Sequence, residues 1–237
     1  MRKLICGVIA TSAMLALTGG AVAQAPEGAL NVTASPSKAG TKKKPKSVKL
    51  GIDLTVNKPQ TTVRYIDLAL PKGLKFSGKG FKRCSIATLE AEDGGPSECP
   101  RGSSAGSKGS ATAVAGTAPL RFTIEPFVLS NTSLVFWVAG DGNSVNAPLV
   151  GKITKRGRNM RIEIDAALRQ PAPGLDASLT GIQATFSGKR GTNAIVSSTG
   201  CTGRKWNVTG KFSFTERADL APVPGPLTLA ATAKCRK

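Results

Sequence analysis

Val48-Lys49-Leu50-Gly51-Ile52-Asp53-Leu54-Thr55-Val56 decides the fold class. Period two places Val48, Leu50, Ile52, Leu54 and Val56 on one face and Lys49, Asp53 and Thr55 on the other. That is the signature of a strand with one buried side. The alternation recurs at Met160, Ile162, Ile164, Ala166 and Leu168 against Arg161, Glu163 and Asp165. It recurs again at Trp206, Val208, Phe212 and Phe214 against Lys205, Asn207, Thr209, Lys211 and Ser213, and lastly at Leu227, Leu229, Ala231, Ala233 and Cys235. Further strand runs span 62–70, 107–115, 119–129, 133–139, 148–155 and 178–187. Turn formers separate them, among them Asn57-Lys58-Pro59, Asp141-Gly142-Asn143, Arg156-Gly157-Arg158-Asn159 and Pro171-Ala172-Pro173-Gly174.

No long stretch carries an apolar stripe of period 3.6. The single helical candidate is Ser85 to Glu92, between two cysteines. About ten short strands with turns between them predict an all-β fold, specifically an antiparallel two-sheet β-sandwich over residues 47–237 with one short helix in a disulfide-closed loop. Ser133-Leu134-Val135-Phe136-Trp137-Val138-Ala139 is apolar on both faces, which predicts a central strand or one covered by a loop.

The N-terminal stretch reads as an export signal over residues 1–25. Arg2 and Lys3 precede an apolar run from Leu4 to Leu17, and Ala21-Val22-Ala23 and Ala23-Gln24-Ala25 each fit a small-x-small cleavage rule. The run is shorter than the roughly 20 residues a membrane span needs. The expectation is a secreted, extracellular chain, associated with the cell wall, with no transmembrane segment after processing. Residues 26–46 are rich in Ala, Pro, Ser, Gly and Lys and read as a basic flexible linker.

The chain carries 33 Lys and Arg against 14 Asp and Glu, a formal charge of +19. Six of the cations (Lys38, Lys42, Lys43, Lys44, Lys46 and Lys49) crowd one short stretch. Two more basic segments follow: Lys72, Lys75, Lys79, Lys82 and Arg83, then Lys152, Lys155, Arg156, Arg158 and Arg161. If they meet in space they make an anion-binding surface for phosphate or sulfate groups; separately, each is a solvated loop that serves solubility. Outside a cell the anionic partners would be wall polymers, acidic polysaccharides or lipid head groups. Nucleic acid is disfavoured by compartment, and a single tyrosine leaves few stacking platforms.

There is no histidine. That excludes Ser-His-Asp and Cys-His nucleophile systems and histidine zinc sites. Cys6 lies within the signal. Cys84, Cys99, Cys201 and Cys235 remain, and an even number in an exported chain implies two disulfides with three possible connectivities. The sequence-local pairing, Cys84–Cys99 with Cys201–Cys235, is the expected one. A metal site is the rival reading, but no C-x-x-C occurs to support it.

Three further groups bear on chemistry. Glu163-Ile164-Asp165 is similar to the start of a Glu-aliphatic-Asp pattern in laminarinase-type sandwich glycosidases, but the second Glu is missing, and surface charge pairing explains the residues. Asp141-Gly142-Asn143-Ser144-Val145-Asn146 lacks the carboxylate density of a calcium loop and reads as a hairpin connection. Trp206 is in register with core residues, whereas Trp137 is the better candidate for an exposed, sugar-stacking role.

Leu70-Pro71-Lys72-Gly73-Leu74-Lys75-Phe76 leading to Cys84-Ser85-Ile86-Ala87-Thr88-Leu89, and Cys99-Pro100-Arg101-Gly102-Ser103 with Ala111-Thr112-Ala113 after it, carry a resemblance. The segment resembles exported actinobacterial β-rich proteins of uncharacterised function. The resemblance implies a Gram-positive envelope setting and supports the Cys84–Cys99 pairing. It implies no activity and no functional residues. The sequence thus predicts a non-enzymatic cell-envelope protein with no cofactor and no metal. The alternatives are a carbohydrate-active protein using carboxylates such as Glu125, Glu163 and Asp165, or a module binding a small ligand or protein through its loops.

Overall fold

Alternation becomes strand throughout the computed structural model, which describes residues 27–58, 60–143, 145–218 and 223–237. The expected signal peptide, residues 1–25, lies outside the described residues. In chain order the elements are β1 (Gly28–Ser35), β2 (Lys46–Ser47), β3 (Lys49–Val56), β4 (Thr62–Ala69), β5 (Leu74–Phe76), α1 (Ile86–Glu90), β6 (Gly106–Ala115), β7 (Ala118–Ser130) and β8 (Ser133–Gly140). They continue with β9 (Asn146–Thr154), β10 (Asn159–Glu163), α2 (Ala166–Arg169), β11 (Ala177–Phe186), β12 (Lys189–Arg190), β13 (Asn193–Ala194), β14 (Val196–Ser198), β15 (Lys205–Thr215) and β16 (Leu227–Lys234).

The all-β, antiparallel expectation holds. The division into two sheets gives way to one eleven-stranded sheet in the order β1-β3-β11-β6-β7-β8-β9-β10-β4-β15-β16. Its two edge strands, β1 and β16, lie side by side, so the sheet is a nearly closed barrel. Eleven is odd, and strict up-down alternation therefore leaves the first and last strands running the same way. The seam accordingly carries a parallel bridge, Lys38 to Arg236, with hydrogen bonds from Ala39 N to Arg236 O and from Arg236 N to Ser37 O, both 2.7 Å. Sequence alternation could not separate sandwich from barrel, because each asks for one buried face per strand.

Curvature is built in by bulges. Register shifts fall between Leu179 and Gly181 and between Gln183 and Thr185 where β11 meets β6, and between Ser213 and Phe214 where β15 meets β4. Gly106 and Gly109 of β6 are required there, since a Cβ on either would collide with the carbonyl oxygens of Thr185 and Gln183. Apolar faces point inward: Leu50, Ile52, Leu54, Ile66, Phe136, Val208 and Phe212 are all buried in one core. Charged positions such as Lys49 and Lys211 face out. That is the reverse of the apolar outer band of a membrane-spanning barrel.

Two local expectations are corrected. Residues 26–46 are not a flexible linker throughout, because Gly28–Ser35 pairs along its length with β3 and buries Leu30 and Val32. Only two large apolar residues mark that strand, and Gly28 is small because a Cβ there would approach Thr55 O at 2.6 Å. The alternation beginning at Met160 stops at Glu163. Asp165 then caps α2, its carboxylate accepting from Ala167 N at 2.8 Å, and Ala-Ala-Leu-Arg favours helix over strand. The expected helix near Ser85 is present as α1, capped by Ser85 Oγ accepting from Thr88 N.

Both expected disulfides are formed, Cys84–Cys99 and Cys201–Cys235. Such loops contribute roughly 3–4 kcal/mol each on the chain-entropy model. The first closes a flap over the outer face of β7 and β8, where Cys84, Leu89, Phe127 and Val135 form a second buried cluster. This is why β8 is apolar on both sides. Two covalent crosslinks mark an oxidising, extracellular-type setting. No described helix is long and apolar enough to cross a membrane.

Candidate functional site

Register fixes which ends of the strands share a level. β1, β4, β7, β9, β11 and β16 end at one mouth of the barrel, called the base, where β3, β6, β8, β10 and β15 begin. The base is closed by a small sheet in the order β2-β14-β5. The β7–β8 turn there, Asn131-Thr132, is uncharged, and the flap of residues 84–105, which carries Glu90, Glu92, Asp93 and Glu98, leaves the base for the outer wall; the remaining connections are cationic. Segments 37–49, 69–83, 155–159, 187–206 and 233–237 contain twenty-one of the 33 Lys and Arg and not one Asp or Glu. All twenty-one are exposed. None forms an ion pair among the described residues: the pairs present involve Lys58, Arg64, Lys108 and Arg161.

The other mouth, the rim, carries Glu27, Asp141, Glu163, Asp165, Asp176 and Glu216, with Lys58, Arg169 and Arg217 among them. The barrel is therefore polarised along its axis. Unpaired like charges repel, so crowding them at one end costs stability and creates a field of one sign.

The two basic segments singled out from sequence meet at the base. Leu70 N donates to Arg158 O at 2.7 Å. A Cβ on Gly157 would lie 2.5 Å from Phe76 O and 3.1 Å from Lys75 Cβ. Lys72 and Lys75 are thus set beside Lys155, Arg156 and Arg158. Lys79, Lys82 and Arg83 continue along the β7–β8 turn, where Gly78 N donates to Asn131 O and Cys84 N to Val128 O. Lys152 and Arg161 are the exceptions. They are cross-strand partners on the outer wall. Arg161 donates twice to Asp67, at 2.7 and 2.9 Å, and lies over the Tyr65 ring. Hydrogen bonding to Asp67, with its charge, raises the Arg161 pKa above the ordinary arginine value. Arg161 is already neutralised and drops out of the anion-binding set.

The lysines of the expected linker are displayed on a fixed turn. Thr41 N donates to Lys44 O and Lys44 N to Thr41 Oγ1, both at 3.0 Å, while β2 pairs with β14. Sequence reading missed Lys189, Arg190, Arg204, Lys205, Lys234, Arg236 and Lys237. The signal was available, since Cys235 lies between Lys234 and Arg236, Arg204-Lys205 follow Cys201 by three residues, and the crosslink joins the two stretches. There Cys201, Gly203, Arg204, Arg236 and Lys237 surround a groove of about 690 Å³.

Three of the four described non-glycine residues with positive φ fall at the same end, the fourth being Gln60 at the rim. Lys155, Arg156 and Arg204 adopt positive φ of 49°, 58° and 58°. Left-handed backbone costs a residue with a side chain roughly 1–2 kcal/mol, and Asn tolerates it best. Arg156→Asn is expected to raise the unfolding free energy by roughly 0.5 kcal/mol or more. A higher urea midpoint at unchanged m-value would show it. The same variant should bind anionic polymer less well.

The carboxylates proposed for a glycan-cleaving cleft are not assembled. Glu125 on β7 and Glu163 on β10 are three strand spacings apart, about 14 Å along the wall. Glu125 pairs with Lys108 at 3.1 Å, Glu163 with Arg64 at 3.6 Å, and Asp165 is the cap of α2. Asp141–Asn143 forms the β8–β9 connection. Trp206 is fully buried, its Nε1 donating to Gly200 O at 3.0 Å. Trp137 is half-buried against the Cys84–Cys99 flap.

The fold and site define a disulfide-stapled, nearly closed antiparallel β-barrel with a cationic base. Comparison of the chain with protein-family models, curated proteins and solved structures finds no match.

Proposed function

We propose that this is an exported, non-enzymatic envelope protein that docks on anionic surface polymer through the base of its barrel. One observation carries the reading: twenty-one exposed cations and no Asp or Glu side chain in five segments at that end. A linear polyanion with repeated phosphate, sulfate or uronate groups matches a broad, multiply charged surface better than a single small anion does. The resemblance of residues 70–113 to exported actinobacterial proteins supports an envelope setting, as does the pair of disulfides. The leader over residues 1–25 would deliver the chain there.

The test is retention on immobilised dextran sulfate, with neutral dextran as the control. Binding should be strong at about 0.1 M salt and absent near 1 M, as the screening length falls from about 10 to about 3 Å. With no histidine in the chain, retention should be flat between about pH 5 and 8. Equal retention on neutral dextran, or binding indifferent to salt, would sink the proposal.

A further inference from the structure

The barrel interior is incompletely filled. Two voids of about 70 Å³ each lie along its axis and share Ile124, Val138, Leu149, Ile164 and Ile182 as walls. The deeper one is bounded by apolar residues alone, reaching Ala184 and Phe186. Together the voids approach the roughly 150 Å³ of an engineered apolar cavity that stays dry and accepts benzene. Water has no polar partner in the deeper void, so an apolar guest is the favoured occupant.

The outer void opens toward the rim, beneath the loop that carries α2. That loop, residues 164–176, crosses the mouth from β10 to β11 and is held by Ile164 N donating to Arg64 O at 2.9 Å. Leu168 and Phe122 bound the outer void on one side. On their other side is a surface groove of about 310 Å³, which also runs past Pro119, Ala167 and Pro171. Leu168 is therefore a stopper between solvent and interior. It sits on a four-residue helix tied by two side-chain hydrogen bonds, the Asp165 cap and Arg169 Nε donating to Ile164 O.

Beside the stopper is a charge. Arg169 lines the outer void, half-buried, with Nε donating to Ile164 O at 3.0 Å. It forms no ion pair among the described residues. A carbon-lined chamber with the Arg169 guanidinium at its mouth, and Arg121 and Asp141 on the groove beyond Leu168, fits a guest with an alkyl tail and an anionic head.

We propose that the barrel binds a single-chain alkyl carboxylate, with the tail in the two voids, the carboxylate on Arg169, and Leu168 turned outward to admit it. This site is at the opposite end from the cationic base and is independent of polymer binding. The test is calorimetric titration of the full chain with decanoate and with decanol. Saturable one-to-one binding of decanoate is expected. Arg169→Gln should weaken decanoate about tenfold, the value of one charge-assisted hydrogen bond, and leave decanol unchanged. Ala184→Phe should fill the deeper void and abolish binding of both, while dextran sulfate retention persists. Absence of saturable decanoate binding overturns the proposal. So does an Arg169→Gln variant of unchanged affinity, or decanoate binding that survives in a folded Ala184→Phe variant. Arg169 is outside the core, so its variant decides the question even if Ala184→Phe does not fold.

Discussion

Phe186→Ala is expected to lower the unfolding free energy by about 3–5 kcal/mol, the range for removing a large ring from a packed core. Phe186 is 1% exposed at the last position of β11. Its ring meets Phe76 edge-on at 5.3 Å and Phe136 at 6.1 Å. Phe76 belongs to the small sheet that closes the base, and Phe136 to the barrel wall, so one side chain fastens the plug to the cylinder. Each edge-on pair adds about 0.5–1.5 kcal/mol beyond burial. The space cannot be refilled from the neighbouring strand, because the residue facing Phe186 on β6 is Gly106, held small by the Thr185 carbonyl. Urea unfolding followed by tryptophan fluorescence measures the loss. Phe186→Leu should recover more than half of it. A loss below about 1 kcal/mol for Phe186→Ala would mean that the site collapses and that the base is held by other contacts.

What could be read from sequence divides along a physical line. Strand faces were legible because burial is written locally, with period two; Val48 to Val56 and Trp206 to Phe214 needed only their own residues. The Cys84–Cys99 flap was legible for the same reason, its cysteines, cap and apolar partner all lying within a short segment. Partner choice was not. β3 pairs with β1 and β11 rather than with β4, the strand that follows it, and nothing within Lys49–Val56 records that. Closure was not legible either, since a barrel seam is a relation between the first and last strands. α2 could have been found: Asp165 before Ala166-Ala167 is a helix start, and the preceding alternation simply overran it. The cationic base was half legible. Lysine-rich runs announce themselves, but Arg204 and Arg236 become neighbours only through a crosslink, and Arg161 is withdrawn by Asp67 from another strand.

Geometry, not net charge alone, should govern polymer binding, and paired charge-matched variants separate the two. In the first, Lys43, Lys44, Lys155, Arg156, Arg204 and Arg236 become Gln. In the second, Arg64, Lys108, Arg121, Lys152, Arg161 and Lys211 of the wall become Gln. Both lose the same formal charge. The base variant is expected to bind dextran sulfate about 100-fold more weakly, and its plot of log affinity against log salt should flatten by roughly one for each sulfate group that is no longer neutralised. The wall variant should stay within about threefold of the parent, because three of its cations are already paired with Glu163, Glu125 and Asp67 and screening isolates the rest from the base. Stability should move in the opposite direction. Relieving like-charge repulsion favours the folded base variant, whereas the wall variant loses the bidentate Arg161–Asp67 pair. A protein tuned for stability alone would not place its unpaired cations on left-handed turns. Equal weakening of the two variants would show that total charge drives retention and that the base is not a recognition surface.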